Sequence, residues 1–198
     1  MASFKTEICK GLSDQEIVRL SLGDIEYFAC LVLKYEFRLL GYVKKISQSD
    51  QEEAEDILQE AFIKIWKNLN GYDPLLTLES WLFRIVHNET ISFWRKKTSF
   101  GKDRTAAIDD DRLLEMFAED QTSETNRDLT FKLIENVLPM LKQEYREVLV
   151  LKFLEDKSYE EISDILKIPE GTVATRINRA KKSFRALSAG KFDNTIFK

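Results

Sequence analysis

Across 198 residues the chain carries three prolines, Pro74, Pro139 and Pro169, and seven glycines. Proline removes a backbone donor and clashes with the preceding turn, and glycine weakens a helix through its backbone entropy. With so few of either, long stretches are free to be helical. The same scarcity excludes collagen-like and turn-rich all-β chains. Hydrophobic residues make up 43% of the chain, enough to bury a core, so wholesale disorder is excluded as well. The length suits one or two domains.

Periodicity divides the chain. Ile25 to Ile46 is apolar and aromatic without proline, Gln51 to Asn70 is strongly amphipathic, and Ser80 to Lys97 reads as a further helix. Asn70-Gly71-Tyr72-Asp73-Pro74 between them is a turn signal. Residues 98–130 lose apolar periodicity and carry Asp109-Asp110-Asp111, which reads as a linker with room for a short helix near Leu113–Phe117. Phe131 to Leu187 reads as four short helices broken near Pro139, Asp156-Lys157 and Pro169. The expected fold is all-α: two small helical domains, 1–97 and 131–188, joined by a flexible acidic linker, 98–130, and followed by a tail, 189–198.

Net charge is −4, which taken whole speaks against nucleic acid. Split by segment, residues 61–105 carry +4 and residues 171–198 carry +6, while residues 106–130 carry −6. Basic blocks are where a nucleic-acid footprint lies. Charge by itself is equally compatible with solvated helix surface.

The C-terminal block has a sharper pattern. Ser158 followed by Glu161 is a capping box that opens a helix with Ile162, Ile165 and Leu166 on one face. Ile168-Pro169-Glu170-Gly171-Thr172 is a tight turn. In the next helix Val173, Ile177, Ala180, Phe184 and Leu187 share one side, and Thr175, Asn178, Arg179, Lys182 and Arg185 share the other, with Arg176 at the border. An apolar back and a Thr/Asn/Arg front suit a recognition helix, whose front enters the major groove and whose back packs on the first helix. Arginine reads guanine bidentately, asparagine reads adenine, and lysine mostly holds phosphate. The stretch Ser158–Lys181 resembles region 4 of bacterial sigma factors, most closely the extracytoplasmic-function class, which reads the −35 promoter element with this helix. That resemblance implies −35 contacts from Thr172, Thr175, Arg176, Asn178, Arg179 and Lys182. The chain departs from the family at Lys167, where glycine is frequent, and at Ala174, where a basic residue is frequent. A left-handed residue at Lys167 costs some energy.

The N-terminal half presents two candidate faces. In the helix from Gln51 the apolar face is Ala54, Ile57, Leu58, Ala61, Phe62, Ile65 and Leu69. Ile63 stands amid the charges of the opposite face, as either a partner contact or a solitary exposed apolar residue. Asp56-Ile57-Leu58-Gln59-Glu60-Ala61-Phe62 resembles region 2.2 of the same family, which docks on the clamp of the polymerase β′ subunit. The resemblance implies polymerase binding by Asp56, Gln59, Glu60 and Ile63. In the helix from Ser80, Leu82, Phe83, Val86, Phe93 and Trp94 are assigned to the core, and Trp81, Arg84, Asn88, Ser92 and Arg95 to an outer face, the alternative being that Trp81 and Ile85 also pack inward and the basic groups are merely solvated. An aromatic platform beside guanidiniums suits unstacked bases, because every base has a face to stack. Trp81–Asn88 and Trp94–Lys97 resemble regions 2.3 and 2.4, which contact the non-template strand of the −10 element. The resemblance implies −10 contacts from Trp81, Arg84, Asn88 and Arg95, with a flipped base pocketed by residues 71–79. Ser92 stands where aspartate is frequent.

Catalysis is not expected. One histidine, His87, and two separated cysteines, Cys9 and Cys30, make no convincing nucleophilic site, and there is no glycine-rich phosphate loop. His87 reads as a partly buried structural residue. No metal or cofactor is implied. Two cysteines make no disulfide framework, so a reducing compartment is expected. No signal peptide and no stretch approaching ~18 apolar residues is seen, so no membrane insertion is expected and the cytoplasm is the expected location. Taken together the resemblance, over residues 20–97 and 131–188, implies a promoter-specificity factor. It would bind core RNA polymerase at the β′ clamp and β flap, recognise and help open promoter DNA, and answer to an anti-sigma factor. Two rivals stand beside it: a plain helix-turn-helix regulator, which explains only the C-terminal half, and an interaction protein that uses its helical domains to hold a partner.

Overall fold

The computed structural model describes residues 8–100 and 136–189, and each of these segments builds its own helical unit. Of the expected linker, 98–130, residues 101–130 lie outside the described residues, as do residues 190–198 of the expected tail, 189–198.

In the first unit, α1 is Asp14–Ser21, α2 is Ile25–Ser47, α3 is Gln51–Asn68 and α4 is Leu78–Phe100. The turn Leu69–Gly71 is 3₁₀. The helices start where caps permit. Ser13 accepts from the Glu16 N–H, and Glu16 accepts from the Ser13 N–H at 2.8 Å. Asp24 and Asp50 cap α2 and α3 by accepting from Glu26 and Glu53 N–H groups at 2.9 Å. These caps satisfy backbone donors that a helix start otherwise leaves open. The helix at Asp14 precedes Ile25, where the helices read from the sequence begin. Helix α4 runs to Phe100 rather than Lys97, because the sequence offers no helix breaker before Gly101.

α2 is the spine. Its Leu31, Leu39, Tyr42 and Val43 are completely buried, and α1, α3 and α4 all pack on it. Every residue of the expected apolar face of α3 is buried: Ala54, Ile57, Leu58, Ala61, Phe62 and Ile65, together with Leu69 beyond its end. Ion pairs Lys64–Glu89 and Lys97–Glu53 tie α3 antiparallel to α4. The lysines of both pairs are half exposed, so these pairs set register more than they add stability.

Tyr42 needs a partner for its hydroxyl, and finds it in His87 Nδ1 at 2.9 Å, with Phe83 edge-on to its ring at 5.0 Å. His87 is 7% exposed. Burial first, and the charge of Arg95 second, push its pKa down to about 4. The structural role expected for this histidine is what the fold gives it.

In the second unit, Leu138–Met140 is a 3₁₀ turn at Pro139, α5 is Gln143–Leu149, Val150–Leu154 is a π-helical turn, α6 is Tyr159–Leu166 and α7 is Glu170–Ala189. The expected capping box is present, with Ser158 Oγ accepting from Glu161 N–H at 3.1 Å and Glu161 accepting from Ser158 N–H at 2.8 Å. Helix α6 ends on Lys167 in the left-handed region, φ 54°. The turn is braced by Ser163 Oγ, which donates to the Ile168 carbonyl at 2.6 Å. The back of α7, Val173, Ile177 and Ala180, is buried, but it packs chiefly along α5 rather than along α6. Phe184 and Leu187, further along the same side, are only half-buried.

A histidine whose folded pKa lies below its unfolded value stabilises the fold above that unfolded value. The unfolded chain then takes up a proton first as pH falls. Lowering pH from about 6.5 toward about 4 is therefore expected to cost the first unit on the order of 3 kcal/mol. Chemical denaturation at several pH values measures it, and His87→Gln is expected to flatten the dependence in that window.

Candidate polymerase and promoter surfaces

The outer side of α3 carries the first candidate group. Asp56, Gln59, Glu60 and Ile63 are all exposed, Ile63 at 40%. They are exposed because the helix has committed its other face to the core. Asp56, Gln59 and Ile63 also line a groove of about 610 Å³ between α2 and α3. Its floor is Phe28, Val32, Phe62 and Trp66, and Glu36, Glu55 and Asp56 give it an acidic lining. Phe28 holds the floor by edge contacts to Trp66 at 5.1 Å and Phe62 at 6.4 Å. An apolar trough with acidic groups suits a partner that offers apolar side chains beside basic ones. Sequence pattern sets Trp66 at the edge of the polar face of α3 but does not single out Phe28 and Val32; they belong to another helix, and only packing brings the three together.

The outer side of α4 differs from expectation in two places. Trp81 is 4% exposed and packs edge-on against Tyr72 at 5.5 Å. It lies in the first turn of the helix, between the buried Leu78 and Leu82, where the preceding loop covers it. That loop is fixed by Asp73, whose carboxylate accepts from the Leu75 N–H at 2.9 Å, and by Tyr72 Oη, which donates to the Leu76 carbonyl at 2.6 Å. Leu75 and Leu76 are left exposed at 91% and 41%. Trp94, assigned to the core, is instead 37% exposed. The two tryptophans have thus exchanged roles: Trp81 is a core residue, and Trp94 is the accessible aromatic ring. Asn88 and Arg95 are exposed as expected, and Arg84 is half-buried. Ser92 is also half-buried, its hydroxyl donating to the Asn88 carbonyl at 2.7 Å.

On α7, Thr175, Asn178, Arg179, Lys182 and Arg185 are exposed. Thr172 is half-buried, and the Thr175 hydroxyl is turned back to the Gly171 carbonyl at 2.8 Å. Arg176 is half-buried and ion-paired to Glu144 of α5 at 3.5 Å. Burial pushes up the carboxyl of the nearby Glu147, against the hydrogen bond from Gln143 and the charge of Arg176. Arg176 thus fastens α7 to α5, while Arg179, Lys182 and Arg185 stand outward and the exposed Lys181 lies over the Phe153 ring at 5.0 Å.

Residues 31–100 match the family described as Sigma-70 region 2, and residues 131–184 match Sigma-70, region 4. The ECF RNA polymerase sigma factor SigW of Bacillus subtilis is 32% identical over 86% of this chain and 94% of its own length. The chain belongs to the ECF sigma factors. It is a promoter-specific transcription initiation factor. The RNA polymerase sigma-H factor of Pseudomonas aeruginosa is 30% identical over 86% of this chain and 91% of its own. The ECF RNA polymerase sigma-E factor of Escherichia coli K12 is 30% identical over 87% and 92%. Among solved structures, CnrH in complex with the cytosolic domain of CnrY has a TM-score of 0.66 and 22% identity, covering 90% of this chain and 99% of that one. RpoE in complex with the anti-sigma factor NepR from Bartonella quintana has a TM-score of 0.62 and 24% identity, covering 83% and 98%. Both structures share the helical fold of this ECF sigma factor. Among the described residues no helix is long and apolar enough to cross a membrane, and no cluster of three or more His, Cys, Asp or Glu stands ready for a metal.

The exchanged tryptophans separate by mutation. Trp81→Ala is expected to destabilise the first unit by about 3 kcal/mol or more, as large core truncations do. Asn88→Ala and Arg95→Ala, on exposed helix surface, are expected to stay within about 0.5 kcal/mol of the parent. Urea titration of the three variants checks both.

Proposed function

We propose that this ECF sigma factor divides its work among three surfaces. The exposed edge Asp56, Gln59, Glu60 and Ile63, with the groove beside it, engages the β′ clamp of core RNA polymerase. The outer side of α4, through Arg84, Asn88, Arg95 and the exposed Trp94, holds unstacked bases of the −10 element, and the loop before it, 71–79, receives a flipped base. Unstacking costs a few kcal/mol, which stacking on Trp94 and contacts in the loop must offset. The outer side of α7 reads the −35 element in the major groove, and the second unit also docks on the β flap. Thr172 and Arg176 complete that surface from its border.

The observation that carries this reading is the two-sidedness of α7. Its back is sealed, with Val173 and Ala180 at 0% and Ile177 at 1% exposure, while Arg179, Lys182 and Arg185 stand outward on the same helix. Basic groups held on a rigid helix are positioned before DNA arrives, so little entropy is lost on binding. RNA synthesis itself is the polymerase's chemistry, and this chain supplies no reacting group to it. The domain division that serves this reading is 1–97 and 131–188 with the acidic linker 98–130 between. The factor works in the cytoplasm, with an anti-sigma factor as its regulator; the similarity to the sigma factor RpoE, solved in complex with the anti-sigma factor NepR, supports that partner.

Two measurements test the division. In promoter-dependent run-off transcription with purified core enzyme, the parent chain is expected to stimulate. Asp56→Ala with Gln59→Ala is expected to abolish stimulation with helicity unchanged, and stimulation without this chain's binding to core would refute the reading. In promoter DNA binding by the holoenzyme, Arg179→Ala with Lys182→Ala is expected to reduce the slope of log K against log salt by up to about 2, near 0.9 for each phosphate that is no longer neutralised. An unchanged slope excludes α7 from the DNA.

A further inference from the structure

One pair of chemically reactive side chains is used by none of these surfaces. Cys9 and Cys30, in which the sequence shows no disulfide framework, are joined by a disulfide across 21 positions of sequence. Their Cα atoms are 5.3 Å apart, within the separation that a disulfide spans without backbone movement. Cys30 is 2% exposed on α2, and Cys9 is half-buried just ahead of α1.

The loop that the bond closes contains all of α1. A helix of eight residues does not hold itself in water. α1 is held on α2 by burial of Ile17 and Val18, and by Asp14, whose carboxylate accepts from Lys34 Nζ at 2.6 Å and from the Tyr35 hydroxyl at 2.8 Å. The disulfide adds a covalent fastening to these. Phe28 and Val32, which flank Cys30 along α2, line the groove beside Asp56. The clamp and the candidate polymerase surface therefore share the same two turns of helix.

We propose that Cys9 and Cys30 form a redox modification site, a thiol pair that exchanges with low-molecular-weight disulfides and, when closed, clamps α1 onto α2. The proposal rests on the sigma-factor reading above in one respect: a factor that serves polymerase works in the cytoplasm, where thiols are kept reduced and a disulfide is usually transient and redox-sensing. The exchange balances. The Cys9 thiolate, more accessible than that of Cys30, attacks a disulfide RS–SR, forms Cys9–S–S–R and releases RS⁻. The Cys30 thiolate then attacks the Cys9 sulfur and releases the second RS⁻. The two cysteines give up two electrons and two protons, and one RS–SR becomes two RSH. Reduction runs the same two steps backward, with RSH as the electron donor. Closure removes freedom from the unfolded chain, so the oxidised form is the more stable.

The full-length protein is equilibrated across ratios of oxidised to reduced glutathione, quenched with acid, tagged with a maleimide of known mass and followed in parallel by thermal unfolding. The expected result is no tag at the oxidising end and two at the reducing end in a single transition. The reduced form is expected to melt lower by on the order of 10 °C. Cys9→Ser with Cys30→Ser is expected to melt at one temperature at every ratio. Cys9→Ser alone, at the more accessible position, keeps the comparison usable where the buried Cys30→Ser prevents folding. Two tags at every ratio, a bond that stays closed at the ratios of a reducing cytoplasm, or equal melting temperatures in both states overturns the proposal. Run-off transcription by the reduced protein is scored separately, so that failure of the sigma-factor surfaces is seen as lost transcription with the thiol titration intact.

Discussion

The first unit depends on one buried polar group. Tyr42 is completely enclosed, and a buried hydroxyl without a partner costs about 1–3 kcal/mol. His87 answers it, and to do so α4 must lie at one rotation and one height against α2. Once Phe83 and His87 face Tyr42, Leu82 and Val86 follow into the core, and Asn88 and Arg95 are left outside. The partnership also keeps the histidine neutral, since its pKa is pushed down to about 4. A core contact between two helices thereby decides which residues of α4 face outward.

The second unit follows a different rule. Ahead of α7 its helices are short, seven residues in α5 and eight in α6, so their ends matter as much as their faces. The reciprocal Ser158–Glu161 cap starts α6, and the left-handed Lys167 stops it, braced by the Ser163 hydroxyl on the Ile168 carbonyl. Lysine takes a position that glycine fills without strain, and the cost is of the order of 1 kcal/mol. What the turn delivers is the placement of α7, whose back is then sealed against α5. Arg176 is drawn into this packing by Glu144, which leaves the outward cations further along the helix. Local charge decides which arginine is structural and which is available.

Much of this is legible in the chain. The proline and glycine positions bound the helices, and the apolar face of α3 can be read residue by residue. The capping box announces α6. Helix α1 escapes the reading, although at eight residues it is as long as α6 and its Ser13 and Glu16 carry the same cap signature as Ser158 and Glu161. The tryptophans depart from expectation for a geometric reason. A helical wheel gives direction around an axis and says nothing about what covers each turn. Trp81 points to the polar side of the wheel but lies under the loop from Tyr72, and Trp94 points to the apolar side but is left 37% exposed.

The sequence by itself therefore determined the helical class, the family and the charge segregation, because these depend on local spacing and composition. A net charge of −4 concealed two basic blocks that lie in the segments of α4 and α7. Tertiary structure alone decided three things. It joined Cys9 to Cys30, it assembled a groove from α2 and α3, and it exchanged Trp81 for Trp94 at the surface. Each of these depends on which helix lies beside which and on what roofs it. Those are distances between residues far apart in the chain, and no periodicity along the chain encodes them.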